Sequence, residues 1–217
     1  MDASRLVREL EGFKAERLVP IVGAGLTSLA DGSAAEAKTL LQTALANEIG
    51  VSELAATWMP STAEIDVKLA FARQAGDEAG HFQLVADRLS ALGFDVGTFR
   101  MPQENPLFDF LRGLSTTVER IAAGLFTLES IAYAVNENFM RFCAQRGDSE
   151  TVRIYQDYIQ PDERAHQLLG QKLLAKYATT AAEERLARET VGRVLEIATA
   201  ARAKAALRMG SACFPGC

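Results

Sequence analysis

Apolar residues recur at intervals of three and four along most of this chain, and no stretch shows the period-two alternation of a strand. The pattern predicts an all-α protein. An antiparallel four-helix bundle fills residues 33–177, a short helical segment lies in an N-terminal extension at 1–32, a fifth long helix covers 178–209, and a flexible tail closes the chain at 210–217. In the extension, 3–14 reads as helix. The stretch 19–33 reads as irregular, because Pro20, Gly23, Gly25 and Gly32 crowd it. The first bundle helix starts near Ser33 and runs to about Trp58, with Leu41, Ala44, Leu45, Glu48 and Val51 on one stripe. Ser33 and Glu36 have capping-box spacing, which gives Glu36 a structural task; Ser61 and Glu64 repeat it at the start of a second helix, 62–92. That helix carries Phe71, Gln74, Glu78, His81, Val85 and Leu89 along one side and ends at Gly93.

Residues 93–106 form the longest polar, Pro- and Gly-containing connection, expected to run along or over the bundle end. The third helix spans 107–146, with Gly113 a candidate break and Val118, Ala122, Leu125, Glu129, Ala132, Tyr133 and Asn136 on its inner stripe. Asp148 then caps a fourth helix, 149–177, which points Ile159, Glu163, His166 and Leu169 or Gly170 inward. Pro161 is expected to kink it. Thr180 and Glu183 form a third capping box ahead of the last helix, 181–209, expected to pack outside the four or against a second copy.

Composition changes this picture little. The 217 residues suit one domain, and 48% hydrophobic residues suffice for a full core. The net charge of −5, with both signs interspersed, leaves no basic footprint for nucleic acid. No apolar run is long enough for a membrane span and the N-terminus is charged, so neither a transmembrane helix nor a signal peptide is read. Cys143 falls in a helical pattern and reads as a small buried apolar residue. Cys213 and Cys217, in SACFPGC, lack Cys-x-x-Cys spacing and read as part of a frayed tail. These features describe a soluble, reduced, cytoplasmic protein.

The chemistry lies in the only two histidines. Each closes the same pattern: Asp77-Glu78-Ala79-Gly80-His81 and Asp162-Glu163-Arg164-Ala165-His166. A glutamate and a histidine three apart share one helix face, so carboxylate and imidazole can reach one ion. A Glu-x-x-His from each of two helices, with one Glu from each of two more, makes an inward-facing di-iron or di-manganese site. Glu48 and Glu129, each inside an apolar stripe, complete the set: Glu48, Glu78, His81, Glu129, Glu163 and His166. Four carboxylates balance the charge of two divalent ions, and six protein ligands leave positions open. Asp77 and Asp162, each four residues before its own histidine, are expected to accept a hydrogen bond from that histidine's ring. Tyr133, four residues after Glu129, is a candidate catalytic residue lining the cavity for oxygen and substrate.

The pattern Glu…Asp-Glu-x-x-His…Glu…Asp-Glu-x-x-His resembles the ferritin-like di-iron carboxylate superfamily over about residues 33–177. Its spacing is similar to that of the hydroxylase subunits of bacterial multicomponent monooxygenases. Ribonucleotide reductase small subunits share the plan but carry a redox-active tyrosine where Val85 stands here, and the Cys-x-x-Cys electron-transfer domain of rubrerythrins is absent. The resemblance implies a ferritin-like bundle and dioxygen as co-substrate. It places Glu48, Glu78 and His81 on one iron and Glu129, Glu163 and His166 on the other, with Glu78 and Glu163 bridging; a manganese–iron pair is compatible with the same ligands. The function it implies is an oxidase or oxygenase acting on a small organic substrate. Its electrons come from a reductase or ferredoxin, and it works as a homodimer away from membranes. Iron storage or ferroxidase activity, tRNA hydroxylation and a metal-free scaffold are the competing readings.

Overall fold

The computed structural model describes residues 3–216, with side chains from Arg5 onward. Among the described residues there is no strand, and the chain is all-α. Its helices are α1 (Ala3–Ala30), α2 (Ala37–Trp58), α3 (Ile65–Ala91), the short α4 (Pro106–Arg112), α5 (117–145), α6 (149–177) and α7 (Ala181–Met209). A single 3-10 turn, Val96–Thr98, interrupts the connection after α3. No helix among these residues is long and apolar enough to cross a membrane.

Cross-helix hydrogen bonds fix the directions. Ser52 of α2 donates to the Ala75 carbonyl of α3 at 2.7 Å, while Glu48 lies across from His81, so α2 and α3 are antiparallel. The His81–Asp162 and Asp77–His166 pairs set α3 antiparallel to α6. Gln167–Ser130 and Asn136–Gln160 set α6 antiparallel to α5. Hence α3 and α5 run the same way, and the chain between them must travel back along the bundle. It does so in stages. Phe99 packs edge-on against Phe82 in the second half of α3, Phe108 of α4 lies against Gly50 beyond the middle of α2, and Arg120 bonds the carbonyl of Trp58 at the end of α2. The connection 93–106 is therefore the first part of a lengthwise crossover, and the break near Gly113 separates α4 from α5.

Two of the three expected capping boxes do not form. Helices α2 and α3 begin after Glu36 and Glu64, and neither start has a side-chain cap. Tertiary partners take the groups instead: Ser33 donates to the Gly210 carbonyl at 3.0 Å, and Glu64 accepts from the Thr117 hydroxyl at 2.6 Å. The Thr180–Glu183 box is present, as is one at Thr116–Glu119.

The N-terminal segment differs most from expectation. Residues 19–30, read as irregular, continue α1 without a break past Pro20 and the glycines. Packing overrides propensity here. The Asn138 carboxamide donates to the Val22 carbonyl at 2.9 Å, and a Cβ on Gly25 would stand 2.4 Å from that same Nδ2, so Gly25 lets α1 close on α5. Helix α7 packs within the chain, burying Ala187, Val191, Val194, Leu195 and Ala198 in the core shared with α1 and α5.

Helices α5 and α6 each contain a π-helical turn, at Ala122–Leu128 and Tyr155–Ile159. Glu129 N–H bonds the Gly124 carbonyl and Gln160 N–H bonds the Tyr155 carbonyl, five residues back in both cases. Pro161, expected as a kink, follows the second π turn directly, where the ladder is already shifted and its missing N–H leaves less unpaired. Around the first turn the loosened carbonyls find other donors. Ser130 reaches the Phe126 carbonyl at 2.7 Å, Lys14 of α1 reaches it at 3.3 Å, and Thr127 bonds the Ala122 carbonyl at 2.6 Å. Lys14 is buried above the Phe126 ring, so burial lowers its pKa while its salt bridge to Glu11 opposes that.

The tail is not free. Cys213 and Phe214 are buried, and the Arg202 guanidinium donates to the carbonyls of Phe214 and Gly216 at 2.7 and 2.6 Å. Gly216 N–H donates to Asn136 at 3.0 Å. The expectation of a frayed end fails because an arginine and an asparagine supply the backbone partners that water would otherwise supply. Cys143 is buried as expected, its thiol pushed up to about 12 by burial; Cys217 lies outside the described residues.

Candidate metal centre

The core is two apolar clusters with a polar layer between them. One holds Leu54, Trp58, Phe71 and Phe126; the other holds Leu45, Val85, Phe139 and Tyr155. Into the gap project Glu48 from α2, Glu78 and His81 from α3, Glu129 from α5, and Glu163 and His166 from α6, each 2–3% exposed. A carboxylate in such surroundings is costly unless paired, protonated or bound to a metal.

The structure brings all six residues together. Ligand atoms of Glu48, Glu78, His81 and Glu163 lie within 4.8 Å of one another, and so do those of Glu78, Glu129, Glu163 and His166. Glu78 and Glu163 belong to both sets. His81 Nδ1 is 3.5 Å from oxygens of Glu48 and Glu78; His166 Nδ1 is 3.5 Å from Glu78 and 3.7 Å from Glu129. Ligands held at about 2.0–2.2 Å around one ion stand roughly 3–3.5 Å apart, so these separations suit an ion between them. The buried polar atoms without a hydrogen-bond partner include His81 Nδ1, His166 Nδ1, Glu78 Oε1 and Glu163 Oε2. Orphans are rare in native interiors, and their convergence here fits a cluster that could hold metal ions.

The outer nitrogens are also fixed, but not by the expected partners. His81 Nε2 is paired with Asp162 at 3.2 Å and His166 Nε2 with Asp77 at 2.9 Å. Each aspartate serves the histidine of the opposite motif, because α3 and α6 are antiparallel and face each other across the site. With Nε2 held outside, Nδ1 is turned to the carboxylates. Asp77→Asn is therefore expected to weaken metal affinity about 10–100-fold at the Glu129–His166 half, with the Glu48–His81 half less affected. Anomalous diffraction from partly loaded crystals would show which ion is lost; loss at the His81 half would contradict the crossed pairing.

Without metal the cluster compensates its own charge with protons. Burial raises Glu48 to about 8, and burial together with repulsion from Glu129 raises Glu163 well above its usual value. Burial opposes charge on both imidazoles, but their carboxylate neighbours outweigh it and raise each to about 11. Glu78 goes the other way: bonds to both histidines outweigh burial and hold it ionised. The raised groups bind more protons folded than unfolded, so stability falls as pH rises through their window. Metal-free protein is thus expected to lose melting temperature from pH 6 to pH 9. Metal affinity should rise over the same range, because binding displaces those protons. Thermal melts with and without metal check both slopes; a metal-free protein that gains stability toward pH 9 would contradict them.

Tyr133 is not brought into this chamber. It is half-buried, with the Arg164 guanidinium 5.9 Å from its ring centre, and the wall next to Glu129 is formed by Leu128 and Ala132. On the helix, position 133 turns to one side of Glu129 while 132 and 136 turn to the other, where the chamber lies. Tyr155, in the apolar cluster that flanks the site, is fully buried, its hydroxyl without a hydrogen-bond partner and its ionisation disfavoured first by burial and then by the charge of Glu48. In an unbroken α-helix Tyr155 lies about 80° around from Glu163; the extra residue of a π turn removes about 100° and brings it within about 20°. Gln74, one turn before Glu78, donates to Glu129. Its place in the inner stripe was visible, its role was not.

The cavity left among the ligands measures only about 10 Å³ and is bounded also by Asn47, Val51 and Gly216. It has room for an ion or a diatomic molecule rather than an organic substrate.

No curated protein and no solved structure matches the chain. The family described as "Protein of unknown function (DUF455)" matches residues 37–207, a span that holds all six residues of the cluster and both aspartates behind it, and the chain belongs to that family.

Proposed function

We propose that this protein is a ferritin-like non-haem di-iron enzyme that activates dioxygen to oxidise or oxygenate a small organic substrate. The observation that carries the reading is the pair of four-residue sets sharing Glu78 and Glu163, with unpartnered imidazole nitrogens turned into the space between them. Two iron ions would supply electrons and open positions at which dioxygen is reduced. The protein supplies the rest. Four carboxylates offset the charge of two dications, Asp77 and Asp162 hold the imidazoles in register, and the flanking apolar clusters exclude water. The π turns present Glu129 and Glu163 from helices whose register is locally shifted, a feature frequent at functional sites. Electrons would come from a reductase or ferredoxin partner.

The test is dioxygen uptake by protein loaded anaerobically with ferrous iron and reduced. Uptake should scale with bound iron and be abolished in Glu163→Ala. Uptake no faster than that of the same concentration of free ferrous iron would overturn the reading.

A further inference from the structure

A second cavity lies behind the first. It measures about 480 Å³ and is walled by α2, α7, the crossover and the tail. That volume is in the range of small-molecule sites, roughly 300–1,000 Å³, whereas the chamber among the ligands holds no organic molecule. The two spaces share a wall: Asn47 borders both, Phe214 faces the outer one and Gly216 the inner one. The wall is thin and closely fitted. A Cβ on Gly216 would stand 2.6 Å from Asn47 Nδ2, and with φ at +78° this position strains any other residue. Asn47 Nδ2 is itself buried and has no hydrogen-bond partner.

The outer cavity has a polarity. Its body is apolar, with Phe94, Phe99, Leu107, Met209 and Phe214. Its rim is cationic: Lys204, Arg208 and Arg100, whose guanidinium also donates to the Gly97 and Phe99 carbonyls, are all exposed, and Glu104 is the one acid among the described residues of the wall. Lys204 and Arg208 are one turn apart on α7, and among the described residues neither forms a salt bridge. Arg202, also on the wall, is committed to the tail carbonyls.

We propose that this cavity binds an amphiphilic anion, with its carboxylate or phosphate against Lys204, Arg208 and Arg100 and its apolar body directed at the Asn47–Phe214 wall. Its role as the substrate site rests on the di-iron reading, while the binding itself does not. The unpaired Asn47 amide is then the donor nearest the inner end of the ligand. The wall between the two spaces is formed by Asn47 of α2 and by the tail, which is pinned by bonds to Arg202, Asn136, Ser28 and Gly25, so a path to the metal chamber runs through displacement of the tail beside Asn47.

Calorimetric titration of the full chain, metal-free and iron-loaded, with decanoate, decyl phosphate and decanol tests this. Saturable binding of at least one anion, at least tenfold tighter than decanol, is expected; the tighter of the two anions identifies the headgroup. Lys204→Glu combined with Arg208→Glu, both on the surface, should weaken that binding at least tenfold and leave iron content and melting temperature unchanged. Met209→Trp should block it by filling the cavity. Binding of the anion should also shift the visible absorption of the iron-loaded protein. No saturable binding of either anion, equal binding of decanol, or charge reversal without effect would overturn the proposal. A protein that binds decanoate but no iron would overturn the di-iron reading and leave the anion site standing.

Discussion

Glu163→Gln is expected to empty both metal positions together while making the metal-free protein more stable. Glu163 belongs to both ligand sets, so its loss removes a bridge rather than one ion's anchor. Its buried Oε2 has no hydrogen-bond partner, and burial with repulsion from Glu129 already disfavours its charge. Glutamine is neutral without taking up a proton, so the substitution removes the cost of keeping Glu163 uncharged, about 1.4 kcal/mol for each unit by which burial raises its pKa toward the working pH. Glu48→Gln is the contrasting case, because Glu48 belongs to one set only. It should leave one ion bound. Elemental analysis beside thermal melts of metal-free protein separates the effects. Equal metal loss in the two variants would remove the distinction between shared and unshared ligands.

Gly170→Ala is expected to destabilise the fold by about 3 kcal/mol, a fall in melting temperature of about 6–12 °C for a chain of this size. A Cβ there would lie 2.6 Å from the Leu125 carbonyl carbon and 2.7 Å from the Phe126 nitrogen. Both are backbone atoms of the π turn that leads to Glu129, so relief must move the turn itself. Gly76→Ala is the matched control. It is an exposed helical glycine with nothing within 4 Å of an added Cβ, and alanine there should stabilise by about 0.5–1 kcal/mol. The opposite signs separate close helix approach from helix propensity. A neutral Gly170→Ala would mean that α6 does not sit on the π turn as closely as described.

Much of the site was legible because its signals are local. Only two histidines exist, each is three residues from a glutamate, and the helical period alone puts each pair on one face. Glu48 and Glu129 showed as acids inside apolar stripes. The limits of α6 and α7 were equally plain, since Asp148 and Thr180 cap where the sequence says they should.

What failed depends on residues far apart in the chain. Ser33–Glu36 and Ser61–Glu64 have capping-box spacing, but Ser33 and Glu64 find other partners at Gly210 and Thr117. Pro20 and Gly25 are poor helix formers in isolation, yet the contact with Asn138 holds α1 continuous. The crossed Asp–His pairs need the antiparallel facing of α3 and α6, which no single helix encodes. Tyr155 was missed because its face was computed for uniform α-helix, whereas Tyr133 was misplaced within a regular helix, because its spacing of four from Glu129 does not say on which side of Glu129 the chamber lies. A π turn has no composition of its own, and Pro161 was its only local mark. The tail showed nothing of its role, since the arginine and asparagine that pin it stand 14 and 80 residues from Gly216.

The central claim is that the polar layer between the two apolar clusters is a two-metal site. Anomalous diffraction at the iron edge, from crystals of protein loaded anaerobically with ferrous iron, tests it most directly. The account predicts two peaks, one among Glu48, Glu78, His81 and Glu163 and one among Glu78, Glu129, Glu163 and His166. A folded, iron-treated protein with no anomalous density between these side chains, or with a single ion touching neither Glu78 nor Glu163, would contradict it.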